Sequence, residues 1–135
     1  MQFLETEIPY SFEQVKEAIE ASWDWDTAYD LPPLENEGQL KGKPHNQCFV
    51  TALVLKDFFG GEILTTSNYT HYWNLLANGK EVDLTRHQFE RFEPKKIEIL
   101  SDPSVKFKTT TFKRYKILKK KVETVLQCTE YNQEV

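Results

Sequence analysis

The chain has 135 residues, of which 39% are hydrophobic and 28% charged, with a formal net charge of −4. That length suits one domain able to bury a core without disulfide staples, and the composition is that of a folded globular protein rather than a disordered one. The acidic balance argues against general nucleic-acid binding, and no apolar run approaches the roughly 20 residues of a membrane span.

Met1 to Glu7 carry no basic region followed by an apolar stretch, so no secretory signal is read and a cytoplasmic location is expected. The two cysteines, Cys48 and Cys128, are too few for a disulfide scaffold or a four-cysteine zinc site. Charge is unevenly spread. Residues 1–79 hold 4 basic and 12 acidic side chains, whereas residues 80–135 hold 13 and 9. The basic excess gathers between Lys106 and Lys121. It reads as the solvated face of a helix balanced by the acidic half of the chain, ahead of a patch for an anionic partner.

Ser11-Phe12-Glu13-Gln14 is a capping-box pattern, and Phe12, Val15, Ala18, Ile19 and Trp23 follow at helical spacing, which predicts a helix over 12–23. Residues 24–47 contain Pro32, Pro33, Gly38, Gly42 and Pro44 and read as one long irregular segment, a kind that is usually functional or disordered. Cys48 to Phe59 is apolar nearly all round and ends at Gly60-Gly61, which predicts a central buried helix with Asn46 as its N-cap. Short strands follow at 62–66, 70–76 and 80–84, the last two joined at Ala77-Asn78-Gly79. Lys96 to Leu100 reads as a strand or a helix start. Phe112, Tyr115, Leu118, Val122, Val125 and Leu126 predict an amphipathic helix over 111–128.

Cys48, His71 and Asp83 hold positions with chemical potential. A helix N-terminus carries about half a positive charge and favours thiolate over thiol at Cys48. His71 opens a core strand, and Asp83 lies on the next one, where it could orient the imidazole. Hairpin parity decides whether these two meet. A two-residue turn at Asn78-Gly79 puts His71 and Asp83 on opposite faces of the sheet. A three-residue loop, with Gly79 left-handed in a bulge, puts Asp83 opposite Trp73 and makes it a diagonal neighbour of His71. A triad therefore requires the bulged loop.

The order of cysteine at a helix start, histidine at a strand start and acid on the next strand resembles the papain-like superfamily. His71-Tyr72-Trp73-Asn74 through Val82-Asp83-Leu84-Thr85 is similar to the end of transglutaminase-like domains. The interval across Asn78-Gly79 resembles the hairpin of NlpC/P60 peptidases, with Asp83 where those place a histidine. Gln47-Cys48-Phe49-Val50-Thr51-Ala52-Leu53-Val54, Phe59-Gly60-Gly61-Glu62-Ile63-Leu64, His71-Tyr72-Trp73-Asn74 and Val82-Asp83-Leu84-Thr85 on to Gln88-Phe89 resemble more closely the YunG-like family of small bacterial proteins. Asn46 stands where that family places glycine. The resemblance implies a single α+β domain of papain-like type over residues 1–135, with a helix packed on a small antiparallel sheet. It also implies a Cys48-His71-Asp83 triad but no particular substrate; the expected reaction is attack on an amide or ester carbonyl of a small molecule or peptide.

In that reading the Gln47 side chain and the Cys48 N–H would hold the oxyanion, and Trp73 would shield the His–Asp bond. No cofactor is required. Zinc held by Cys48, His71 and Asp83 is the weaker reading, because no two ligands lie at short spacing. Cys128 reads as a packing or exposed thiol, and a disulfide to Cys48 is disfavoured without an export signal. His45 and His87 read as exposed, Trp23 and Trp25 as core or rim aromatics, Asn74 as structural, and Thr85 and Gln88 as a strand end. A non-catalytic papain-like binding or regulatory module is the alternative, as is a partner protein using the basic C-terminal helix.

Overall fold

A computed structural model describes residues 10–24, 26–28, 47–66, 71–85, 97–100 and 109–133. The chain begins its described course at the capping box. Gln14 N–H donates to Ser11 Oγ at 3.1 Å and Ser11 N–H to Gln14 Oε1 at 2.8 Å, satisfying two amides that the first helical turn leaves orphaned. The helix α1 (Phe12–Ser22) turns Val15, Ala18 and Ile19 inward. Ser22 ends it by donating to Ala18 O, and Trp23 leaves in an extended conformation.

The helix α2 (Cys48–Phe59) is buried nearly all round, from Val50 to Leu55 and at Phe58, as its apolar sequence predicts. Its N-cap is Gln47, one residue later than the Asn46 expected from capping chemistry. The Gln47 side chain makes no cap bond because it is committed elsewhere in the interior. Asn46, Trp25, His45, Thr70, His87, Gln88 and most of the irregular segment after Trp23 lie outside the described residues. Gly60 closes α2, with φ 69° and its N–H on Lys56 O. Gly61 follows at φ 86°, where a Cβ would sit 2.1 Å from Leu75 O. No side chain fits there, so the approach of α2 to the sheet depends on that glycine.

Four antiparallel strands follow: β1 (Glu62–Thr66), β2 (Tyr72–Leu75), β3 (Glu81–Val82) and β4 (Ile97–Leu100), in the spatial order β3-β2-β1-β4. Residues 97–100 thus form a strand and no helix start. The strand β3 is shorter than the 80–84 read from sequence, and β2 begins after His71. The last helix, α3 (Thr109–Gln133), extends beyond the predicted 111–128 at both ends and buries Leu118, Val122 and Leu126 at four-residue spacing.

The core has two parts, joined by α2. One holds Ile19, Trp23, Val54, Phe58, Leu118 and Val122, between α1, α2 and α3. The other holds Ala52, Leu53, Ile63 and Leu100, between α2 and the sheet. Asn74 turns to the α2 face and donates to Ala52 O at 2.9 Å, so a buried amide pins β2 to the middle of the helix. The basic face of α3 meets the acidic half of the chain as expected. Lys119 pairs with Asp57 at 3.0 Å and Lys121 with Asp26 at 2.7 Å. Tyr115 O–H also donates to Asp57, which ties α3 to α2. The architecture among the described residues is α+β, three helices with one small antiparallel sheet.

Candidate active site

The hairpin takes the bulged form. Leu75 pairs with Glu81 and Asn74 with Val82, Leu76 N–H donates to Lys80 O, and Gly79 sits at φ 87° with its N–H on Leu76 O. The loop is therefore Ala77-Asn78-Gly79, and Asp83 falls opposite Trp73 on the face that also carries His71.

His71 lies one residue before β2 and is completely buried. Its Nε2 is 2.7 Å from Asp83 Oδ2. A carboxylate only accepts, so Nε2 carries a hydrogen toward Asp83, and in the neutral imidazole Nδ1 is the acceptor. Asp83, just past β3, is itself held: Thr85 N–H donates to its Oδ1 at 3.2 Å, an Asx-type turn that leaves Oδ2 for the imidazole. Trp73 stacks on the imidazole, with ring centroids 5.5 Å apart and planes 22° from parallel. Its indole N–H is fixed by Glu81 Oε1 at 2.7 Å.

Cys48 is the first residue of α2 and half-buried. The backbone N–H groups of Tyr72, Phe49 and Cys48 itself face the sulfur closely enough to favour its charge. Burial nevertheless dominates, and with a smaller repulsion from Asp83 it pushes the thiol up to about 11. The expectation that the helix N-terminus would leave a ready thiolate is thereby corrected: the helix contributes, but desolvation outweighs it. Both cysteines are free, with Cys128 exposed on α3.

Gln47 is completely buried. Its Oε1 accepts from Thr27 Oγ at 2.7 Å, and its Nε2 donates to Asp24 O at 2.9 Å. Trp23 Nε1 donates to Thr51 Oγ1 at 2.9 Å in the same region. The turn after α1 is thus fastened to the first turn of α2, beside Cys48. The Gln47 amide serves that fastening through both its oxygen and its nitrogen. Asp24 and Thr27 in this clamp, and Glu81 behind Trp73, carry no sequence signal that would single them out. Thr85 does: Asp-x-Thr is an Asx-turn pattern.

Among the described residues, no group of three His, Cys, Asp or Glu side chains converges as metal ligands would. Of Cys48, His71 and Asp83, the last two are bonded to each other at 2.7 Å. A groove of about 570 Å³ between the end of α1 and α3, lined by Trp23, Asp24, Ile117, Lys120, Lys121 and Val125, includes none of these three residues. No helix among the described residues is long and apolar enough to cross a membrane.

Neither curated proteins nor solved structures provide a match. The family model described as YunG protein matches residues 11–127, nearly the whole chain from the capping box to the end of the core-forming part of α3, and the chain belongs to that family.

Proposed function

We propose that the protein is a cysteine-dependent hydrolase or acyltransferase of papain-like type, acting in the cytoplasm on an amide or ester of a small molecule or peptide. The observation that carries this reading is the 2.7 Å bond between buried His71 and Asp83, which aligns an imidazole next to the strand residue whose amide faces Cys48. Asp83 fixes the tautomer, so Nδ1 takes the proton from Cys48 as the sulfur attacks the carbonyl carbon. The C–S bond forms as the carbonyl π pair moves to oxygen, where the Cys48 N–H and the remaining Gln47 N–H stabilise it. Collapse returns the proton from His71 to the leaving group. Water or an amine then resolves the thioester by the same route.

The test is acylation by an activated ester such as p-nitrophenyl acetate, followed by peptide mapping. An acetyl adduct on Cys48 that forms quickly in the parent protein and is lost in His71→Ala supports the reading. Equal acylation in both proteins overturns it. The raised Cys48 thiol favours a second reading, a non-catalytic binding or regulatory module in which Cys48 is only a buried small side chain. That module predicts no His71-dependent adduct at any pH.

A further inference from the structure

The peptide linking His71 to Tyr72 touches both halves of the candidate site. Its carbonyl accepts from Thr66 N–H at 3.3 Å and from the Thr65 hydroxyl at 3.0 Å, both on β1. The chain has no cis peptide bonds among the described residues, so the N–H of this peptide points the opposite way, off β1 and toward the β3 side. There the ladder has already ended. The position across from Tyr72 is Leu84, two residues beyond the end of β3. The first turn of α2 reaches this peptide, with the Phe49 and Tyr72 rings 4.6 Å apart, and the Tyr72 N–H is among the groups that favour charge on the Cys48 sulfur. Thr65 is completely buried, and its hydroxyl also reaches Thr66 O at 3.2 Å.

We propose that Thr65 is a positioning residue for the nucleophile: its hydroxyl clamps the His71 carbonyl and so aims the Tyr72 N–H at Cys48. The inference rests on reading Cys48 as the nucleophile. Two donors on one carbonyl also polarise the peptide and strengthen the N–H on its far side. One peptide unit thus sets the base, through its attachment to His71, and the charge environment of the sulfur together.

The test is the rate of Cys48 alkylation by iodoacetamide at a fixed pH near 8, followed by peptide mapping to separate Cys48 from Cys128. In that range the rate follows the thiolate fraction. Thr65→Val keeps the shape and removes the hydroxyl. It should slow Cys48 roughly three- to tenfold, as expected for weakening one hydrogen bond to a charged group. Thr65→Ser should restore the parent rate, and Cys128 should not change in either variant. An unchanged Cys48 rate in folded Thr65→Val overturns the inference but not the triad, whose own test is His71-dependent acylation. If Thr65→Val does not fold, amide hydrogen exchange decides. Tyr72 N–H should exchange at least about tenfold faster in Cys48→Ala than in the parent, with Trp73 unchanged. Equal Tyr72 exchange in the two proteins overturns the inference.

Discussion

The ionisation of Cys48 offers the sharpest test of the physical picture, because two opposing effects meet on one sulfur. The helix N-terminus and the Tyr72 and Phe49 amides lower the thiol's affinity for its proton, while burial and Asp83 raise it, with a net rise from 9.0 to about 11. Two units reduce the thiolate fraction about 100-fold at any pH well below 9. Iodoacetamide should therefore modify Cys48 about 100-fold more slowly in the folded protein at pH 8 than in the same protein unfolded in urea. The folded rate should climb tenfold per pH unit and level off near pH 11. Peptide mapping gives the Cys48 rate separately from that of exposed Cys128. Under this picture the resting site holds a neutral thiol, and His71 removes the proton only as substrate is attacked. A folded-state profile that levels off below pH 8 would refute the reasoning. It would mean that a preformed thiolate–imidazolium pair outweighs desolvation, as the helix-start position alone had suggested.

Other outcomes follow from the same geometry. Stability should fall as pH rises through 9 to 12. The Cys48 and Tyr115 acids are raised to about 11 and about 12, so the unfolded chain releases these protons first; Cys48 alone accounts for up to about 3 kcal/mol, and Cys48→Ser should remove its share in urea titrations. Asp83→Asn should lower His71-dependent acylation by about two to four orders of magnitude with little change in the melting temperature, since the amide can present its N–H to the imidazole and hold the wrong tautomer. Gly61→Ala should cost about 3 kcal/mol or more in urea denaturation, because its Cβ would meet Leu75 O, whereas Gly79→Ala, with open space around it, should cost only about 1–2 kcal/mol of backbone strain. Gln47→Leu should destabilise by about 1–3 kcal/mol, because it removes two buried hydrogen bonds, one to Thr27 Oγ and one to Asp24 O.

Much of this arrangement was legible in the residues. The capping box at Ser11, the apolar helix at 48–59 and the Leu118-Val122-Leu126 face follow from short-range rules of capping and periodicity, and tertiary packing reinforces them. The hairpin was legible only as an alternative, because Ala77-Asn78-Gly79-Lys80 accommodates both a two- and a three-residue loop. Packing settles the choice. The three-residue register turns Asn74 to the Ala52 carbonyl and Val82 to the helical core, whereas shifting Val82 by one place would turn it out of that core. The N-cap was misplaced because capping rules weigh a side chain's reach to local amides. Gln47 gains more from Thr27 and Asp24, about twenty residues earlier, which no local pattern reveals. The burial of the thiol is hidden from the sequence for a related reason. A helix dipole can be read from position, but desolvation depends on everything packed around the sulfur.

The candidate site forms where regular structure stops. The strand β3 has only two residues. A longer β3 would place Leu84 opposite Tyr72 and draw the Tyr72 N–H into the ladder instead of toward Cys48. Asp83 would then continue a strand, without the turn in which Thr85 holds its Oδ1 and leaves Oδ2 for His71. At the other end of the hairpin, the Gly79 bulge fixes the parity that puts Asp83 on the His71 face. The two irregularities act together, one choosing the face and the other releasing the groups that use it. Regularising either one should therefore disable the site. Replacing Asn78-Gly79 with a D-Pro-Gly pair while keeping Ala77 forces the two-residue turn, in which Ala77 faces Lys80; it should abolish the His71–Asp83 bond and His71-dependent acylation together. Retention of that acylation in such a hairpin would show that Asp83 does not orient His71.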